Sequence, residues 1–197
     1  MARILAKLKL KWGDLMKYFI SDLHFCHQSI IEMSQRPFAT LEEMHATMIR
    51  RWNKVVKTND QVYIIGDFLY KGTAQEANQI LSQLKGKKYL VRGNHEKYLN
   101  QPEFDISLFE WVKDYYTFKE NKRQYVLFHY PILEWEGWYR DSILLYGHVH
   151  NNRSDYFYQT LGPNAVNVGA DMLDFTPISQ TQVLELVAKR KQGVSSS

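Results

Sequence analysis

Seven residues of metal-binding type, Asp22, His24, Asp67, Asn94, His129, His148 and His150, stand in short clusters scattered along a chain of 197 residues. Their donors mix imidazole with carboxylate, a set that suits Mn²⁺, Fe, Zn²⁺ or Ni²⁺ better than an all-oxygen Mg²⁺ cage. Manganese is the expected metal, with iron, zinc and nickel as the alternatives. Two divalent cations held close together can share one water, which loses a proton near neutral pH and becomes a nucleophile. The same cations would neutralise charge on a phosphoryl group under attack. In Asp22-Leu23-His24 and His148-Val149-His150 the paired residues are two apart, so extended backbone would turn both members of each pair the same way. Taken singly, each residue reads as an ordinary loop residue or hydrogen-bonded cap. Jointly they resist that reading, because nearly every tract of strand character ends in one.

The tracts Tyr18–Ile20, Gln61–Ile65, Lys88–Val91, Tyr125–Phe128 and Ile143–Tyr146 are apolar runs of strand length that close on polar, Gly- or His-bearing tips. Between them the spacing predicts a helix from Leu41 to about Lys57. Thr40 and Glu43 form its capping box, and Leu41, Met44, Met48, Trp52, Val55 and Val56 form its apolar stripe. A second helix is expected over Ala74–Leu84, closed by Gly86. Alternating strands and helices indicate an α/β layered fold, whose ligand crevice lies beyond the carboxyl ends of the strands. Trp111–Phe118 and Arg123–His129 read as a hairpin joined by Glu120-Asn121-Lys122, and Ala165–Val168 and Thr181–Val187 as further strands, so the sheets should be mixed. Gly66, Gly93 and Gly147 each precede a ligand-type residue, where a missing side chain permits close approach.

Length and a hydrophobic content of 45% fit one compact domain, expected over residues 16–190. Residues 1–15 are expected to be an extension, with translation starting at Met16; the rival reading is a basic amphipathic surface helix over Arg3–Leu10. Residues 191–197 are expected to be a flexible tail. The single cysteine, Cys26, excludes an internal disulfide and a cysteine-based zinc cluster, which fits a reducing, cytoplasmic setting. No apolar run approaches membrane-spanning length. The formal net charge of +4 is concentrated partly in terminal lysines and does not by itself indicate nucleic acid as a partner.

Asp22-Leu23-His24, Gly66-Asp67, Gly93-Asn94-His95-Glu96, His129 and Gly147-His148-Val149-His150 resemble, in order and spacing, the motif set of the calcineurin-like metallophosphoesterase superfamily. The start Ser21–His27 is similar to that of its small bacterial and phage predicted phosphoesterases. The resemblance implies a four-layer αββα sandwich with two mixed sheets flanked by helices. It implies one metal held by Asp22, His24, Asp67 and His150 and a second by Asp67, Asn94, His129 and His148, with Asp67 bridging. It also implies a catalytic role for His95 beside Asn94 and Asp67, with His95 as general acid; an imidazole is suited to that task.

The expected partner is a small phosphate-ester substrate of nucleotide-like size. The alternatives are a metal-dependent nuclease, with nucleic acid possible but less favoured, and a scaffold that has lost catalysis, which the complete ligand set disfavours. Where the superfamily's protein phosphatases continue into Asp-Arg-Gly, this chain has Tyr70-Lys71-Gly72, so Lys71 offers a point charge instead of a planar fork. Substrate contacts are expected from Lys71, from Arg140, and from His27 unless His27 caps a helix beginning near Gln28. Tyr130–Arg140 forms an aromatic lip in which Trp135 and Trp138 either stack on substrate or plug the domain rim. His45 is expected on the surface of the long helix.

Overall fold

The computed structural model describes residues 15–194 of the chain. The expected extension, residues 1–15, lies outside these except for Leu15, as do residues 195–197 of the expected tail.

Strict alternation along the strands builds the layers. In β1 (Lys17–Ile20), Phe19 points to one side while Tyr18 and Ile20 point to the other; in β2 (Gln61–Ile65), Tyr63 and Ile65 oppose Val62 and Ile64. With β3 (Lys87–Val91) and β4 (Trp111–Lys113), these strands form the parallel part of a five-stranded sheet, ordered β4-β3-β2-β1-β9; the short β9 (Ile178–Ser179) runs antiparallel to β1. The second sheet is ordered β5-β6-β7-β8. In it β5 (Tyr116–Glu120) is antiparallel to β6 (Arg123–Leu127), while β7 (Ile143–Tyr146) and β8 (Ala165–Asn167) run parallel to β6. Phe19, Tyr63, Ile65, Val91, Tyr125, Leu127, Ile143 and Leu145 fill the space between the sheets. The opposite faces of β1 and β2 pack on helices, those of β6 and β7 on Trp135. Two mixed sheets flanked by helices make this the expected α/β sandwich.

Helix α1 (Ile30–Met33) is one turn long. Helix α2 (Leu41–Val55) buries Met44, Thr47, Met48 and Trp52, and the Trp52 indole donates to the Lys85 carbonyl at 2.9 Å. Its capping box is only half made: Thr40 accepts from the Glu43 amide, but the Glu43 carboxylate takes the Ala39 amide instead of that of Thr40. A complete box, Thr73 with Glu76, opens α3 (Ala74–Gln83).

Several expectations are corrected. Trp111–Phe118 is two strands: the chain leaves the first sheet at Lys113 and enters the second at Tyr116, each half pairing with a different neighbour. The hairpin to β6 stands, turning at Asn121 and Lys122, both with positive φ. Thr181–Val187 is helical, part of α5 (Gln180–Val194), because Val183 and Val187, four residues apart, share the face buried against the inter-sheet core. Ser179 and Gln182 bond each other's amides at its start, as in a capping box. Helix α4 (Ser154–Leu161) was not anticipated; its Phe157 and Leu161 pack beside Trp135. Among the described residues, no helix is long and apolar enough to cross a membrane.

Trp52 is 1% exposed, so Trp52→Ala should destabilise the fold by about 3–5 kcal/mol through cavity formation. Thr73→Ala, which removes only a cap, should cost about 1 kcal/mol. Denaturant unfolding followed by tryptophan-independent circular dichroism ranks the two; equal effects would contradict the assigned packing.

Candidate metal centre

Beyond their last paired residues the parallel strands remain stitched together. The amides of Asp22 and His24 donate to the carbonyls of Gly66 and Asp67, both at 3.0 Å, and the Gly147 amide donates to the His129 carbonyl at 2.9 Å. The two sheets meet at these tips: the Ser21 amide donates to the Val168 carbonyl, and the Ala170 amide donates back to Ser21. The carboxyl ends of β1, β2, β3, β6 and β7 therefore converge, and the motif residues with them.

The backbone that presents these residues is not extended, as the two-residue spacing had suggested. Asp22, His24, Asp67, His148 and His150 all have φ between 50° and 72°. Such left-handed conformations are sparsely populated outside glycine, although Asp, Asn and His tolerate them best. Tight turns of this kind swing the side chains over the strand ends. A β-carbon on Gly93 would fall on the Asp67 carboxylate and amide, and one on Gly147 on Ser21 and the Asp22 carboxylate, which is why neither position admits a side chain.

Two groups of donors result. Asp22, His24 and His150 form one and Asp67, His129 and His148 the other; within each group the donor atoms lie within 4.8 Å of one another. Asp67 Oδ2 stands between the groups, 3.5 Å from His24 Nε2 and 3.5 Å from His129 Nε2. Asn94 Oδ1 lies 3.2 Å from His129 Nε2 and 3.0 Å from His148 Nδ1. Asp22 is fully buried and accepts from Ser21 Oγ and the His148 amide. His129 bonds the Ile65 carbonyl through Nδ1 at 2.9 Å, which leaves Nε2 facing Asp67.

Electrostatics match a cation site. Burial raises the Asp22 carboxyl, with only partial relief from His129 and His150. Burial works against ionisation of Asp67 as well, but the hydrogen bond and charge of His129 outweigh it and hold the carboxyl at about 2. Burial holds His24 down at about 2, so its imidazole is neutral, and its Nε2 is buried without a hydrogen bond. An interior ring nitrogen with no partner is costly, and a metal ion would take its lone pair. His129 is the opposite case: burial alone would lower it, yet Asp67 and Asp22 raise it to about 9. Its proton supplies locally the positive charge that a metal would bring. Each of the two donor groups, Asp22 with His24 and His150 and Asp67 with His129 and His148, is of a kind that could hold a metal ion.

His95 lies beside this centre. Its amide donates to Asp67 Oδ1 at 3.0 Å and its Nε2 stands 3.9 Å from Asp67 Oδ2, with the side chain about one-third exposed. Tyr70 packs edge-to-face on the His95 ring at 4.7 Å and stacks on His27 at 3.7 Å. His27 is buried, with Nδ1 3.2 Å from His24 Nδ1, and does not cap α1, whose N-cap is Ser29. His27, Tyr70 and Lys71 line one side of an open groove of about 460 Å³. Lys71 and Arg140 are exposed, each over the ring of the preceding tyrosine at 5.2 and 4.9 Å. Trp135 plugs the second sheet, its indole bonded to Ser142 Oγ, whereas Trp138 and Tyr139 are exposed. His45 is half-buried and accepts from the Cys26 amide at 2.9 Å, correcting its expected surface position.

Three buried residues that sequence reasoning did not single out support the site. Glu96, whose carboxyl burial raises to about 7, accepts from the amides of Phe68, Gly93 and His95 and so joins the tips of β2 and β3. Asp171 and Arg36 brace the His150 side. The Glu of the Gly-Asn-His-Glu cluster was visible as part of a motif; the other two carry no spacing signal.

The chain is similar to several proteins of other organisms. An uncharacterized protein of Methanocaldococcus jannaschii is 33% identical over 181 residues, 88% of this chain and 92% of that protein. The Gene 66 protein of Mycobacterium phage L5 is 35% identical over 82 residues, 40% of this chain and 39% of its own. A solved structure of a protein of unknown function from Aquifex aeolicus superposes with a TM-score of 0.69 at 27% identity, covering 88% of this chain and all of that one. The profile of the calcineurin-like phosphoesterases matches residues 18–178, the span that holds every motif residue above, and the chain belongs to that family.

Proposed function

We propose that the protein hydrolyses a small phosphate ester, of nucleotide-like size, with two divalent metal ions. One is held by Asp22, His24, Asp67 and His150, the other by Asp67, Asn94, His129 and His148. The observation that carries this reading is the single Asp67 oxygen 3.5 Å from imidazole nitrogens of both groups. Manganese is the proposed metal on the chemistry of the donors. When bound, the pair supplies an acidified water and neutralises charge on the phosphoryl oxygens.

The chain's own residues do the remainder. Asp67 and Asn94 fix the reacting centre between the two halves of the site. His95, held through its amide by Asp67 and packed against Tyr70, presents a partly exposed ring and donates a proton to the leaving oxygen. His27 and Lys71 line the groove alongside, where the leaving group rests, with Lys71 offering a positive charge. Arg140 is a contact for an extended substrate at the exposed lip. One observation favours a second reading as a nuclease: Trp138 and Tyr139 are 47% and 67% exposed beside Arg140, a surface on which bases can stack. Comparing a chromogenic phosphodiester with single-stranded and duplex oligonucleotides separates the two.

Asp67→Ala and Asn94→Ala should abolish metal-stimulated hydrolysis of the chromogenic ester. His95→Ala should lower kcat about 10²- to 10⁴-fold with metal content unchanged. Metal-stimulated turnover at wild-type level in these variants would refute the assignment.

The raised His129 gives a pH test. Below about 9 the ring carries a proton in the metal-free protein and must lose it to ligate. Metal binding at pH 7 should therefore release protons, and apparent affinity should climb with pH until about 9 and then level. Calorimetry in buffers of different ionisation enthalpy measures the release; pH-independent binding would remove His129 from the ligand set.

A further inference from the structure

Arg36 sits just after α1, with its side chain wholly buried. Its guanidinium is fully engaged. Nε donates to Asp171 Oδ1 at 2.8 Å, and the two terminal nitrogens donate to Asp171 Oδ2 at 3.1 Å, to the Asp22 carbonyl at 2.7 Å and to the Leu23 carbonyl at 2.8 Å. The plane lies over the Phe175 ring at 5.3 Å, and one terminal nitrogen touches Met44 Sδ. Asp171, equally buried, accepts at Oδ2 from His150 Nδ1 at 2.7 Å. This bond assigns the His150 proton to Nδ1 and leaves Nε2 turned toward Asp22 Oδ1, 4.0 Å away. Asn151, next in the chain, donates to the Ser34 carbonyl and ties the His150 loop directly to the loop that carries Arg36.

Two consequences meet in one residue. Through the carbonyls of Asp22 and Leu23, Arg36 clamps the left-handed turn that presents Asp22 and His24. Through Asp171 it fixes the ring orientation and tautomer of His150. The strut thus bonds the backbone of Asp22, the carbonyl that precedes His24, and the ring of His150, and none of these hydrogen bonds goes to Asp67, His129 or His148. An arginine fork is needed here because four acceptors must be met in one plane, which an ammonium cannot do.

We infer that Arg36 and Asp171 are positioning residues that set metal affinity at the Asp22, His24 and His150 site selectively, leaving the second site largely alone. The inference rests on the two-metal reading above. Outer partners of metal-bound histidines commonly change affinity by about 10- to 100-fold when removed.

The test is metal titration of the metal-free full chain with Mn²⁺, followed by calorimetry and by elemental analysis after gel filtration. Two variants are compared with wild type: Asp171→Asn, which keeps the shape but drops the charge, and the double variant Arg36→Met with Asp171→Leu, which leaves no unpaired buried charge. Both should retain one site at wild-type affinity and weaken the other about 10- to 100-fold, with the larger loss in the double variant. Two sites of unchanged affinity in Asp171→Asn and in the double variant would overturn the proposal. So would equal weakening of both sites, the mark of a merely structural role. Fewer than two sites in wild type would instead refute the two-metal reading itself.

Discussion

A carboxylate buried at the junction of two sheets is the constraint on which this molecule is organised. Asp67 is 2% exposed, and a charge so far from water persists only if neighbours compensate it. Imidazoles from the first sheet's β1 tip and the second sheet's β6 tip approach the same oxygen, and the His95 amide holds the other. The charge of His129 comes from one sheet and the His95 amide from the other, so the sandwich and the site are one solution to one electrostatic problem.

Holding those groups in place requires backbone that the chain would not otherwise choose. Five of the motif residues adopt left-handed φ, a conformation costing of order 1–3 kcal/mol each for strained non-glycine residues. Lateral amide bonds from one strand tip to the next, the Glu96 carboxyl and the Arg36 guanidinium keep the turns from relaxing. Asp, Asn and His are the residues that bear this conformation best, so metal chemistry and backbone tolerance select the same residue types.

The strands β2 and β7 were legible to the residue, because uninterrupted apolar runs ending in Gly or His have few other readings. Convergence of Asp22, Asp67, His129 and His150 was legible too, since parallel strands end on one side of a sheet. What escaped depended on context. The change of sheet between Lys113 and Tyr116 occurs without glycine or proline, within a run aromatic on both sides. Valines favour strands, yet Val183 and Val187 are helical because a helical face buries both, and only Ser179 with Gln182 hinted at it. Arg36 and Asp171 are 135 residues apart and gain meaning only where their loops meet.

The sheet change at Lys113–Tyr116 has a mechanical side. It joins the sandwich covalently along one margin, while Ser21 and Gly169 bridge it along the opposite margin and Lys17 pairs with Glu120 at the far end. A pair of plates fastened on both margins cannot open like a book. The spacing between the two donor groups is thereby a property of the frame.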